Sequence, residues 1–139
     1  MIAYVDSSVV LRLVLGQPDR LAEWATITAG VTSALLEVEC LRTLDRLRFA
    51  KEQFTAEQHS LRRAAIFRIV EAFEIVDLSP VVLKRAAQPM PAPLGTLDAL
   101  HLATAQAWRD ARQQDPVVAT HDHALALAAR ADGFHVIGA

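Results

Sequence analysis

The sequence predicts an α/β fold, a three-layer α/β/α sandwich around a central parallel sheet. Three observations carry that prediction. Short apolar runs alternate with helical segments along the chain. Those runs are apolar throughout rather than alternately polar, as strands covered on both faces require. The length, 139 residues, suits one domain with its own core.

The elements follow in order. Ile2 to Val5 is a short apolar run ending at Asp6, read as a buried strand leading into a helix over about 7–15. Gly16-Gln17-Pro18 is a turn, with a second short helix after it. Gly30-Val31-Thr32 is a short extended segment, and Ser33 is the expected N-cap of a helix reaching about Ala50. Thr55 and Gln58 have the spacing of a capping box. Ile66, Ile69, Val70 and Phe73 then recur at helical spacing, so that helix buries a stripe. Residues 74–78 read as a strand, and Ser79-Pro80 opens another helix with proline in its first turn. Pro89, Pro91 and Pro93 make 88–95 an extended loop. Thr96 is expected to cap a helix through about Gln113, which Pro116 helps to end. Val117-Val118-Ala119 is a buried strand, a helix covers 123–131, Gly133 ends it, and 134–137 is a last strand.

Composition narrows the function classes. Hydrophobic residues make up 53 % and charged residues 22 %, a globular and not a disordered balance. No apolar run approaches the roughly 18 residues of a membrane span. The apolar start lacks a basic leader and is interrupted by Asp6, so it does not read as a signal peptide. A single cysteine, Cys40, excludes an internal disulfide and argues against a cysteine metal site; packing is its expected role. A cytoplasmic location is the default expectation. The net charge of −2 gives no broad basic surface, so a nucleic-acid substrate has to be argued from a site.

Four acids sit where ligands bind in such folds, at the carboxyl ends of strands. Asp6 follows the first strand and Asp122 the strand at 117–120. Asp98 lies in the first turn of its helix, and Glu39 is six residues beyond Ser33 in a helix leaving the second extended segment. Each aspartate taken singly is explained as a helix cap or dipole partner. Taken together they would repel one another unless a cation or protons intervene. An all-oxygen cluster suits Mg²⁺ or Mn²⁺, which orient a water and stabilise a phosphoryl transition state.

Four segments resemble a known family. Met1 to Ser8, with its Asp6-x-Ser8, looks like the opening strand of a PIN domain. Thr32-Ser33 through Glu39 to Arg42 resembles the second motif of that family, in which a serine precedes the acid by six. Leu97-Asp98-Ala99-Leu100-His101-Leu102-Ala103 is similar to the third. Thr120-His121-Asp122, followed by Ala128-Ala129 and Gly133-Phe134, resembles the closing motif. The resemblance spans nearly the whole chain in order and spacing, and implies one PIN-like nuclease domain over 1–139. It implies a Mg²⁺-dependent endoribonuclease using metal-activated water, with Mn²⁺ as a substitute ion. It further implies a VapC-type toxin neutralised by a VapB-like antitoxin, forming a homodimer and a toxin–antitoxin hetero-oligomer, with no membrane partner. Carried over by position, Asp6, Glu39, Asp98 and Asp122 are the catalytic and metal-binding acids. Ser8 and Thr120 match polar positions that orient a carboxylate or bind water, and Ser33 matches the motif serine. Glu37 is an additional acid, which leaves two glutamates to choose between.

Neighbouring residues carry competing readings. His101 is one turn beyond Asp98 on the same face; it reads first as a packed, hydrogen-bonded histidine and second as support for the acids or a phosphate contact. His121 and His123 flank Asp122, but two alternating histidines without further ligands are thin grounds for zinc. Arg42 and Arg46 share a helix face with Glu39 and either contact RNA phosphates, pair with Glu39, or are simply solvated. Arg62, Arg63 and Arg68 read as a solvated face, and Trp24 and Trp108 as packing residues. The rival functions are a catalytically silent PIN-like binding module, which would lack an acid, and a phosphatase of the haloacid dehalogenase type, which would need an aspartate where Ser8 stands.

Overall fold

A computed structural model of the chain describes residues 1–50 and 54–139. In chain order it contains β1 (Ile2–Val5), α1 (Ser7–Val14), β2 (Ala29–Ser33), α2 (Leu35–Arg48), α3 (Ala56–Ala72), β3 (Glu74–Val76), α4 (Pro80–Ala86), α5 (Thr96–Arg112), β4 (Val117–Ala119), α6 (His123–Ala131) and β5 (Val136–Ile137). The strands lie in the order β3-β2-β1-β4-β5, and every neighbouring pair is parallel. This is the expected α/β sandwich.

Alternation along the strands builds the two cores. Tyr4, Val31 and Val118 face one, with Leu102, Ala105 and Trp108 of α5 and Leu125 and Ala129 of α6. Ala3, Val5 and Ala119 face the other, with Val9 and Val10 of α1, Leu36 and Leu44 of α2 and Ile66 of α3. Burial on both faces is the reason β1 and β4 are apolar without alternation; the edge strand β3 departs from that expectation, with Glu74 and Ile75 exposed. Trp108 is a core residue and Trp24 packs beside Phe73, so both tryptophans serve packing. Among the described residues no helix is long and apolar enough to cross a membrane.

Several local signals act as read. Thr55 and Gln58 close a capping box at the start of α3, and Ser79 caps α4 ahead of Pro80. Others need correction. Ser33 is not the N-cap of α2: its backbone is still in the ladder, opposite Val76 of β3, so Ala34 takes the cap position. The Ser33 hydroxyl nonetheless accepts from the Leu35 N–H at 3.1 Å. Thr96 does not cap α5; Gly95 is the N-cap and Thr96 the first helical residue. The second short helix is one 3-10 turn, Ala22–Thr26. The last strand begins only at Val136, because the Phe134 N–H still bonds back to Ala129 O and closes α6. The third strand likewise stops at Val76, and α2 ends at Arg48.

Gly30 of β2 allows a close approach. A Cβ there would lie 2.3 Å from Cε1 of the Phe73 ring. Gly30→Ala is therefore expected to lower stability by about 1–3 kcal/mol through overpacking, read as a lower urea midpoint at unchanged slope. An unchanged midpoint would show that the ring swings aside without cost.

Candidate functional site

The chain runs outward through β1, β2 and β3, then crosses back to place β4 and β5 on the other side of β1. The crevice at such a reversal, over the carboxyl ends of the strands, is where open parallel sheets bind ligands. Asp6 follows β1 there, and Thr120 and Asp122 follow β4.

Asp6 is buried and held by its neighbours. It caps α1, accepting from the Ser8 N–H at 3.3 Å. Its Oδ2 also accepts from the Ser8 hydroxyl at 2.5 Å and the Thr120 hydroxyl at 2.9 Å. Each hydroxyl has one proton and gives it to Asp6, leaving its lone pairs for backbone amides. Ser8 Oγ accepts from His121 N–H at 3.0 Å, and Thr120 Oγ1 from Asp122 N–H at 3.0 Å. The two hydroxyls thus tie the end of β1 to the loop after β4 and hold the Asp6 carboxylate between them.

Glu39 reaches the same place from the opposite helix layer. Its Oε1 lies 2.5 Å from Nε2 of His101, and that nitrogen is 3.5 Å from Asp6 Oδ1. His101 is fully buried on α5, and its Nδ1 lies 2.7 Å from the Tyr4 hydroxyl. The packed, hydrogen-bonded histidine of the sequence reading is therefore present, with acids among its partners. Burial works to lower the pKa of this ring, but the hydrogen bond to Glu39 and the charges of Asp6, Glu39 and Asp98 outweigh it and raise it. One ligand atom each from Asp6, Glu39 and His101 lies within 4.8 Å of the others.

Asp98, half-buried in the first turn of α5, completes the charge cluster. Burial first, then the negative charges of Asp122 and Asp6, push its carboxyl from 3.8 to about 6. Asp122 caps α6, its Oδ1 accepting from Leu125 N–H at 2.9 Å. The capping explanation is correct for Asp6 and Asp122, and both still contribute to the field at Asp98.

The remaining candidates separate. Ser33 is fully buried, with its hydroxyl turned to Leu35 N–H. Arg42 pairs with Asp45 at 2.9 Å and not with Glu39, and Arg46 donates to the Thr43 hydroxyl. Both arginines are exposed, and they line with Glu39, Ser7 and Leu97 a cleft of about 300 Å³. His121 Nδ1 faces Gly138 O, His123 is exposed, and neither joins a metal-ligating group among the described residues. Cys40 is buried, and burial followed by the charges of Glu39 and Asp6 pushes its thiol to about 12, so it stays protonated as a packing residue. Tyr4 is the residue the sequence reading passed over. Its signal was parity: residues two apart on a strand share a face, which puts Tyr4 directly below Asp6.

Carboxylates from both helix layers, set beside the amino ends of α1 and α6, form a site that can hold a hard cation. Both ring nitrogens of His101 have protein partners, Tyr4 at Nδ1 and Glu39 at Nε2.

Comparison with known proteins supplies the family. The sequence matches the PIN domain over residues 3–131. It is 28 % identical over 138 residues to ribonuclease VapC47 of Mycobacterium tuberculosis, covering 94 % of this chain and 92 % of that protein. The fold is similar to FitAcB from Neisseria gonorrhoeae, with a TM-score of 0.70 at 18 % identity over 98 % of this chain and 96 % of that one. It is also similar to a chain of a toxin-antitoxin complex from Klebsiella pneumoniae, with a TM-score of 0.63 at 17 % identity over 86 % of each chain. At that identity the structural likenesses establish fold, whereas the domain match runs from β1 to the end of α6, and the chain belongs to the PIN-domain family.

Proposed function

We propose that this protein is a Mg²⁺-dependent endoribonuclease, with Mn²⁺ able to substitute, acting in the cytoplasm as the toxin of a toxin–antitoxin pair. The observation that carries the reading is the meeting of Asp6 and Glu39 beside His101 at the end of β1, next to an Asp98 carboxyl that burial first, and then the charges of Asp122, Asp6 and Glu39, raise to about 6. A set of oxygen donors that repel one another fits a hard divalent cation. Asp6, Glu39, Asp98 and Asp122 would hold it. When bound, the ion supplies Lewis acidity that activates water and offsets charge building on the phosphodiester.

The chain's own residues do the rest. Ser8 and Thr120 hold Asp6 in one orientation, and His101 holds Glu39. Arg42 and Arg46 offer positive charge along the cleft beside Glu39, where RNA phosphates would lie. The surface pair of Arg42 with Asp45 is weak enough to exchange for a phosphate. With a net charge of −2 the protein lacks the basic surface of a general RNA scavenger, which favours a selective target. The name of VapC47 supports ribonuclease chemistry, and the likeness to a chain of a toxin-antitoxin complex supports an antitoxin partner. We place the whole chain in one nuclease domain that forms a homodimer and a hetero-oligomer with its antitoxin.

The test is cleavage of structured and single-stranded RNAs by purified protein in Mg²⁺, Mn²⁺ or EDTA. Cutting is expected with either metal and lost in EDTA; undiminished cutting in EDTA overturns the metal mechanism. Induced expression is expected to arrest growth, with rescue by the small protein encoded beside it. Normal growth despite abundant soluble protein would remove the toxin reading.

A further inference from the structure

The two carboxylates at the centre of the site are held in different ways. Asp6 is short, buried, and fixed by Ser8 and Thr120. Glu39 is longer, partly exposed, and stands on a helix of the opposite layer. A glutamate side chain has three rotatable bonds to restrain, and metal-binding carboxylates are commonly restrained by a hydrogen-bond partner of their own.

We propose that Tyr4 and His101 are a buried positioning pair that fixes the Glu39 carboxylate for the cation. This rests on the nuclease reading and adds to it a residue, Tyr4, that touches neither metal nor RNA. A carboxylate only accepts, so the proton between His101 and Glu39 belongs to Nε2. In a neutral ring Nδ1 must then accept, and the Tyr4 hydroxyl donates to it at 2.7 Å. In a charged ring the same hydroxyl accepts from Nδ1–H. Tyr4 therefore serves either state of the ring, and the bond to Glu39 is kept in both. Flipping the imidazole would break both contacts at once. The Tyr4 ring also packs edge-on to His101, with centroids 6.0 Å apart at 71°.

The placement follows from the fold. Tyr4 faces the layer of α5, which carries His101, and Asp6 follows two residues on, in extended backbone just beyond β1. The chain Tyr4–His101–Glu39 thus crosses from one helix layer to the other over the end of β1. A fully buried imidazole that served packing alone could be an apolar residue at lower cost.

The test uses the full-length protein and Mn²⁺ alone, titrated calorimetrically into wild type, Tyr4→Phe, His101→Leu and His101→Gln. His101→Leu is expected to weaken Mn²⁺ binding at least about tenfold, and Tyr4→Phe roughly threefold because it acts one bond further out. His101→Gln keeps an N–H able to reach Glu39 and is expected to recover most of the loss. Urea midpoints check that each variant is folded. Should His101→Leu fail to fold, Tyr4→Phe and His101→Gln decide the matter. Unchanged Mn²⁺ affinity in folded Tyr4→Phe and His101→Leu, or a His101→Gln variant as weak as His101→Leu, overturns the proposal. Nitrogen-15 spectra of the metal-free wild type should show a proton on His101 Nε2; a bare Nε2 beside a protonated Nδ1 also overturns it. A wild type that takes up no Mn²⁺ overturns the nuclease reading and the metal half of this one, and the ring spectrum then decides the hydrogen-bond chain by itself.

Discussion

Asp98→Asn is expected to abolish RNA cleavage while making the metal-free protein more stable. The two effects have one cause. Burial first, then the charges of Asp122, Asp6 and Glu39, raise the Asp98 carboxyl to about 6 in the folded protein against an ordinary 3.8. The folded state thus holds this proton more tightly than the unfolded chain does. The associated stability is fully present below about pH 4 and is lost as pH rises through about 6. At neutral pH the metal-free wild type carries an ionised Asp98 that it would be more stable without. Because the side chain is half-exposed, solvent screening reduces the effect to about 1 kcal/mol, or about 3 °C in melting temperature. The asparagine side chain carries no charge to be repelled. The substitution costs no cap, because Gly95 holds that position, and the pull of the α5 amino end on the carboxylate is already outweighed in a group whose pKa is raised.

With millimolar Mg²⁺ the order should reverse: the wild type gains stability by mass action and Asp98→Asn gains much less. Removing one oxygen donor's charge from the metal site is expected to cost about 4 kcal/mol in the barrier, near a thousandfold in rate. Melting curves from pH 4 to 8, with Mg²⁺ and with EDTA, check the stability half, and initial cleavage rates check the other. A variant that melts below wild type in EDTA at pH 7 would show that the ionised carboxylate costs the fold nothing, by burial or by repulsion. A variant that cuts RNA at close to the wild-type rate would show that Asp98 is not part of the catalytic set.

The second large effect distinguishes the two glutamates of α2. Glu37 and Glu39 stand about 200° apart around the helix, so one site can take only one of them. Glu39 reaches His101 at 2.5 Å, whereas Glu37 lies in the first turn, where an acid is favourable for the helix dipole alone. Glu39→Gln is expected to slow cleavage at least about tenfold, or ~1.4 kcal/mol in the barrier, and to weaken Mn²⁺ binding. Glu37→Gln should cost a few tenths of a kcal/mol in stability and leave the rate within about twofold. Initial rates for both variants at matched metal concentration make the comparison. A dead Glu37→Gln beside a healthy Glu39→Gln would sink the assignment.

Much of this molecule is decided by local pattern. The apolar runs at Ile2–Val5 and Val117–Ala119 are legible as strands because both faces are covered, and Asp6 and Asp122 are legible at strand ends because each opens a helix. The capping box at Thr55 and Gln58 is equally local, closing within one turn. The signals at Ser33 and Thr96 misled by one residue each. Ladder pairing with β3 held Ser33 in the strand, and Gly95 took the cap ahead of Thr96; neither choice is encoded in residue type. The centre of the site depends on still longer reach. Tyr4 meets His101 across 97 positions, His101 meets Glu39 across 62, and Thr120 meets Asp6 across 114. Periodicity says which face of a helix is apolar, and by itself it determined the layers, the strand ends and the acids on them. It carries no information on how closely α2 and α5 approach over the end of β1. That distance is set by the packing of two separate cores, and it decided that His101 is bonded to Glu39, that Arg42 is not, and that Tyr4 stands behind them both.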